Sequence, residues 1–180
     1  MSTKMWILTK IILIILFGTI LHFIYEWLGK SPVIGIIGAV NESTWEHLKL
    51  LFWPTLIISV IEYILVGNKY NNFITGIAIS LISGMLLIII LFYTYTGIWG
   101  KDSLIMDIGI FIISVIVSQL ISNQIVTLNM DIKSLVNILS LHIIGIMMLS
   151  FVWFTFIPPK IPLFQDPVTK CYGIGSAISN

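Results

Sequence analysis

Asn41-Glu42-Ser43-Thr44-Trp45-Glu46-His47-Leu48-Lys49 sets two carboxylates, an imidazole, two hydroxyls and an amine on about two turns of helix. Upstream, His22 and Glu26 stand four residues apart, so they stack on one helical face. Imidazole and carboxylate are ligands for zinc, iron or manganese. His22, Glu26, Glu46 and His47 are therefore the candidate ligands for a divalent metal, and Glu42 and Glu46 the candidate acid–base groups. A His/Glu pair on one helix facing a Glu-x-x-x-Glu-His run on the next follows the logic of metal sites in helical bundles. A bound cation would lower the pKa of water and polarise a carbonyl or phosphoryl oxygen, with one glutamate as general base. The chain has no H-E-x-x-H motif. Ser43 and His47 also have nucleophile–base spacing, but nothing marks an oxyanion hole.

A plainer reading competes for the same residues. Ser43-Thr44-Trp45-Glu46 fits a capping box, in which Glu46 reaches back to a backbone donor. Glu42 near a helix N-terminus is favoured by the macrodipole alone. Glu46 and Lys49 have the spacing of a helical ion pair. These roles account for Glu42 and Glu46 but leave His22, Glu26 and His47 unexplained. Ionisable groups so close to a bilayer are expensive, which favours the functional reading.

The elements that must position these groups are membrane helices. The chain has 180 residues, 58% hydrophobic and 9% charged, against roughly 25% charged in a soluble domain. Five apolar runs are long enough to cross a bilayer, at about 5–28, 45–66, 73–98, 103–125 and 135–157. The fold class expected is an all-α integral membrane bundle of five transmembrane helices, forming one domain over residues 1–180. The joints carry loop chemistry at Gly29–Pro32, Gly67–Lys69, Gly97–Lys101 and Asn129–Lys133, and Pro158-Pro159 ends the last run. Residues 158–180 are expected to pack as a tail at the membrane surface. The first run is too long for a signal peptide and is read as an uncleaved helix. Pro54 is expected to kink the second.

Five spans put the two ends of the chain on opposite sides, here side A (N-terminal) and side B (C-terminal). All nine basic residues are lysines. Lys4, Lys10, Lys69 and Lys133 fall on side A, and Lys30, Lys101, Lys160 and Lys170 on side B. Lysines ahead of the first span favour a cytoplasmic N-terminus. Near-zero net charge offers no basic patch for nucleic acid, and the single Cys171 excludes an internal disulfide framework.

Small residues recur every four positions at Gly76, Ser80 and Gly84 and at Ser114, Ser118 and Ser122, the pattern of close helix packing in lipid. Trp27, Trp45, Trp99 and Trp153 fall near side B as an aromatic belt. Helical rise places His22, Glu26, Glu42, Glu46, His47, Asp102 and Asp107 in one polar layer near side B. A second layer near side A contains Glu62 and His142, close enough in depth that the two could pair.

The run Val40 to Leu50 with Phe52-Trp53-Pro54 resembles the signature of a family of small bacterial membrane proteins catalogued as a domain of unknown function. His22 to Trp27, Phe164 to Thr169 and Tyr172 to Ile174 are similar to the same family. The resemblance implies a multi-span protein of the bacterial cell membrane and brings no activity with it.

Three functions are consistent with these residues. The first is a metal-dependent hydrolase acting on a lipid-borne or membrane-adjacent substrate. The second is a small proton- or ion-coupled transporter. The third is an accessory subunit that docks through the polar motif. The expected partners are the lipid bilayer and either a second copy of the chain or another membrane protein.

Overall fold

The computed structural model describes residues 3–66, 70–128 and 134–175. Helices run over Thr3–Trp27 (α1), Pro32–Gly35 (α2, a single turn), Thr44–Val66 (α3), Phe73–Trp99 (α4), Leu104–Val126 (α5) and Ser134–Phe156 (α6). A 3-10 turn follows at Pro162–Phe164. The five long helices are each long and apolar enough to cross a membrane. Two of the expected joints, 67–69 and 129–133, with Lys69 and Lys133, lie outside the described residues.

α1 packs on α3 and α5, and α4 packs on α3, α5 and α6. The helices α1, α3, α4 and α5 therefore close a ring, and α6 is applied to its outside, mainly on α4 and also through side chains of α3. Ile14, Leu51, Leu81 and Val115, one from each helix of the ring, are fully buried at its centre.

The most extensive contact is α4 on α5, and small residues explain it. A Cβ added at Gly76 would lie 2.6 Å from Val126 and 3.2 Å from the Ser122 carbonyl oxygen. One added at Gly84 would lie 2.8 Å from Leu51 and 3.0 Å from the Ser118 Cβ. Apolar burial gives no drive between helices in lipid, so this close approach is what holds the pair.

α1 ends in a Schellman motif. The Lys30 amide donates to the Tyr25 carbonyl (2.9 Å) and the Gly29 amide to the Glu26 carbonyl (3.3 Å). Gly29 sits at φ +72°, where glycine costs least.

The chain does not then cross directly to α3. Residues 32–43 fold back between α1 and α3. The Ala39 amide donates to the Leu21 carbonyl (3.2 Å), and Leu21 lies roughly 9 Å inside the end of α1 by helical rise. The expected joint at Gly29–Pro32 is only the start of this connection, which continues inward over the following residues. Its run Val33-Ile34-Gly35-Ile36-Ile37-Gly38-Ala39-Val40 is apolar enough to enter the bundle. Non-helical backbone is tolerated at membrane depth only where protein satisfies its polar groups, and α3 supplies the partners. Trp53 Nε1 donates to the Ile36 carbonyl (3.1 Å), Lys49 Nζ to the carbonyls of Gly35 (2.8 Å) and Gly38 (3.4 Å), and the Val40 amide to Glu46 Oε2 (3.0 Å).

α3 runs through Pro54 as one helix. The tail returns to side B. Phe164 is buried and packs at a tilt against Trp45 with ring centroids 4.7 Å apart, and Trp45 also meets Phe151 at 4.7 Å. Such ring pairs add about 0.5–1.5 kcal/mol each beyond area burial. Trp27, Trp99 and Trp153 are exposed on the rim, but Trp45 departs from the expected belt. Its helix position turns it toward α6, into this aromatic cluster.

Candidate metal site at side B

The motif divides between two faces of α3. The helix begins with an Asx turn, in which Asn41 Oδ1 accepts from the Ser43 amide (2.9 Å). Ser43 Oγ accepts from the Glu46 amide at 3.4 Å, a long capping bond. Glu46 does not return the bond to Ser43 as a capping box would. Its carboxylate reaches the Val40 amide, and Lys49 Nζ approaches the same oxygen at 2.6 Å. Lys49 also donates to Thr155 Oγ1 of α6 (2.6 Å). Both side chains are almost fully buried (0% and 2% exposed). This inward face braces the re-entrant segment, so the Glu46 carboxylate is already committed to it.

The other face carries the cluster. The Ser43 carbonyl oxygen lies 2.9 Å from His47 Nδ1. A carbonyl only accepts, so Nδ1 carries the proton, and in the neutral ring Nε2 presents a lone pair. That Nε2 lies 3.4 Å from Glu42 Oε2. Two acceptors so close repel unless a proton or a cation lies between them. His22 brings its ring from α1 to 5.2 Å from that of His47, centroid to centroid. His22 Nδ1 is buried without a hydrogen-bond partner. One ligand atom from each of His22, Glu42 and His47 lies within 4.8 Å of the others, the one grouping of its kind among the described residues.

Glu42 sits outside the membrane-spanning segments. With a proton on His47 Nε2, the hydrogen bond from that imidazolium holds the Glu42 carboxyl below the ordinary carboxylate range, against a weaker upward push from burial. Its side chain is 52% exposed and that of His47 is 32% exposed, so the cluster opens outward. Asp107 of α5 interacts electrostatically with His47 and Glu42. Its Oδ1 accepts from the Tyr95 hydroxyl, and that hydroxyl accepts from the Ser103 amide (3.0 Å).

The structure thus brings His22, Glu42 and His47 together, with Asp107 alongside. Glu46 lies on the inward face, held by Lys49 and the Val40 amide. Glu26 is exposed and turned toward Lys30 at 3.6 Å. A metal held here would take Glu42 as a ligand in place of Glu26 and Glu46. The reason is the loop: Glu42 precedes α3, and the Asx turn sends its side chain to the His47 face.

The side A residues do not meet each other. Glu62 faces the ring interior, where Lys10 Nζ donates to its Oε2 (2.6 Å) and Trp6 Nε1 to its Oε1. His142 is exposed on α6, outside the ring, with Nδ1 2.8 Å from the Ile138 carbonyl oxygen. Sequence reasoning missed Lys10 as the partner of Glu62. The signal was a lysine six residues into an apolar run, too deep to be a flank.

No curated protein and no solved structure matches the chain. A family model does match, over residues 1–174, which take in α1 to α6, the re-entrant segment and the cluster. The chain therefore belongs to the family of unknown function DUF6512.

Proposed function

We propose that this membrane protein holds a divalent cation (zinc, iron or manganese) at His22, Glu42 and His47 and uses it for hydrolysis of a lipid-borne or membrane-adjacent substrate at side B. The observation that carries this reading is the convergence of three ligand atoms within 4.8 Å from α1, the loop and α3. The Ser43 carbonyl gives it further support. A ligating histidine ordinarily donates its other ring N–H to a fixed acceptor, which sets the tautomer, and Ser43 supplies that acceptor to His47. Two imidazoles and one carboxylate are a three-ligand set of the kind that leaves a position for water or substrate. The cation would supply a lowered water pKa and a polarised carbonyl or phosphoryl oxygen. Asp107, bridged to Tyr95, is the carboxylate beside the cluster that is free to handle a proton, because Glu46 is held by Lys49.

Elemental analysis of protein purified without chelator tests the metal. Near-stoichiometric metal in the wild type, lost in His47→Ala and kept in Glu26→Gln, is expected. Metal-free wild type would end the proposal. Hydrolysis is then tested by release of headgroup or fatty acid from phospholipid with the protein in nanodiscs, metal-loaded against metal-stripped. A second reading, an ion-coupled carrier, has the buried Lys10–Glu62 pair in its favour, and proteoliposome flux abolished by Glu62→Gln would select it.

A further inference from the structure

The side A end of the ring holds a polar arrangement that the side B cluster does not use. Lys10 and Glu62 form an ion pair at 2.6 Å with side chains only 9% and 11% exposed. Next to it lies a cavity of about 30 Å³, lined by Lys10, Glu62, Trp6, Gln119, Ser122 and Asn123 among others. Gln119 is 2% exposed. Its Nε2 donates to Ser80 Oγ (3.2 Å), but its Oε1 is buried without a partner. An amide oxygen left bare inside a protein is costly, and Lys10 has three donors, of which Glu62 Oε2 takes one.

The volume fits one or roughly two waters, which need about 10–15 Å³ each and two to four polar partners. Such partners are present: the Gln119 carbonyl to accept, the Lys10 ammonium to donate, and the Ser122 hydroxyl to do either. A larger ligand does not fit this space. Along α5 the lining passes from buried Gln119 and Ser122 to half-buried Asn123 near the side A end of the helix. Toward side B the ring is closed by the fully buried Ile14, Leu81 and Val115.

We propose that the side A ends of α1, α3 and α5 form a binding site for internal water, held between Gln119 Oε1 and the Lys10 ammonium and exchanging with side A. This water gives an otherwise desolvated Lys10–Glu62 pair a route for proton exchange with that side, independently of any metal at side B. Buried ion pairs are stable only when their remaining hydrogen-bonding capacity is met, and a bridging water meets it almost as well as a direct partner.

Trp6 provides the probe, because its indole N–H is bonded to Glu62 beside the cavity. The full chain, labelled with nitrogen-15 in nanodiscs of deuterated lipid, is examined for magnetisation transfer from water to indole protons. Trp6 is assigned with Trp6→Phe. A water cross-peak at Trp6 is expected in the wild type and its loss in Gln119→Leu. Trp53, bonded to the Ile36 carbonyl, reports that the fold is intact. If Gln119→Leu does not fold, Gln119→Met removes the same carbonyl at equal length. No cross-peak in the wild type overturns the site. So does a cross-peak that survives loss of the amide, since Trp6 would then be seeing surface water.

Discussion

Lys49 and Thr155, 106 residues apart, meet at 2.6 Å in a fully buried contact. The same ammonium meets Glu46 and two carbonyls of the re-entrant segment. One lysine thus ties α3, α6 and residues 35–38 together. Breaking a buried ion pair from one side strands the other charge, at about 3–5 kcal/mol. Glu46→Gln and Lys49→Met should each lower thermal stability in detergent on that scale. The double variant should lose less than the sum. Loss of metal from a Glu46→Gln protein of unchanged stability would return Glu46 to the ligand set.

Metal content should divide the ionisable residues cleanly. His22→Ala, His47→Ala and Glu42→Gln remove ligand atoms of the cluster and should each abolish stoichiometric metal. Glu26→Gln and His142→Ala should retain it, because one side chain is turned toward Lys30 and the other lies on the outer face of α6. Imidazole binds metal only when unprotonated, so protons compete with the cation and occupancy should fall as the medium is acidified. Occupancy that does not respond to acid would mean that the histidines are not ligands.

The five spans were legible because about twenty apolar residues have few other uses, and Gly76-x₃-Ser80-x₃-Gly84 marked a closely packed helix without naming its neighbour. His22 and His47 were legible because residues four apart stack and rise fixes depth. Two things were not. Glu42 precedes its helix, so periodicity could not give its direction, and the Asn41 turn decides it. Residues 33–40 are too short to span and carry no helix caps, so nothing local shows that they fold inward. Their anchors, Lys49 and Trp53, follow later in the chain. His142 was misleading because depth alone suggested a partner, whereas the packing of α6 outside the ring turns it away from Glu62.

The Lys10–Glu62 pair should show the asymmetry of buried charges. Lys10→Met leaves a carboxylate and Glu62→Met an ammonium, and each should destabilise the fold by about 3–5 kcal/mol. Replacing both with methionine removes the desolvation cost as well as the attraction and should restore most of the loss. Chemical unfolding of the three variants in one detergent reads this directly. A double variant as unstable as the worse single one would mean that the hydrogen bond from Trp6, or the water beside it, matters more than the pair.

Gly18 and Pro54 are coupled through a single carbonyl. Proline has no amide hydrogen, so the Leu50 carbonyl, four residues earlier in α3, loses its helical donor. That oxygen turns toward Gly18 of α1, where an added Cβ would lie 2.6 Å away. The same Cβ would lie 2.6 Å from Phe111 Cζ, the far end of a ring that can shift. Gly18→Val should therefore destabilise the α1–α3 contact by about 1–3 kcal/mol, the usual cost of overpacking. Gly18→Ala should act in the same direction, less strongly. Pro54→Ala restores an amide that draws the Leu50 carbonyl back into its own helix, which opens space over Gly18. Gly18→Ala should then cost less in the Pro54→Ala background than in the wild type. Strictly additive effects would show that the carbonyl lies against Gly18 for reasons unconnected with the proline.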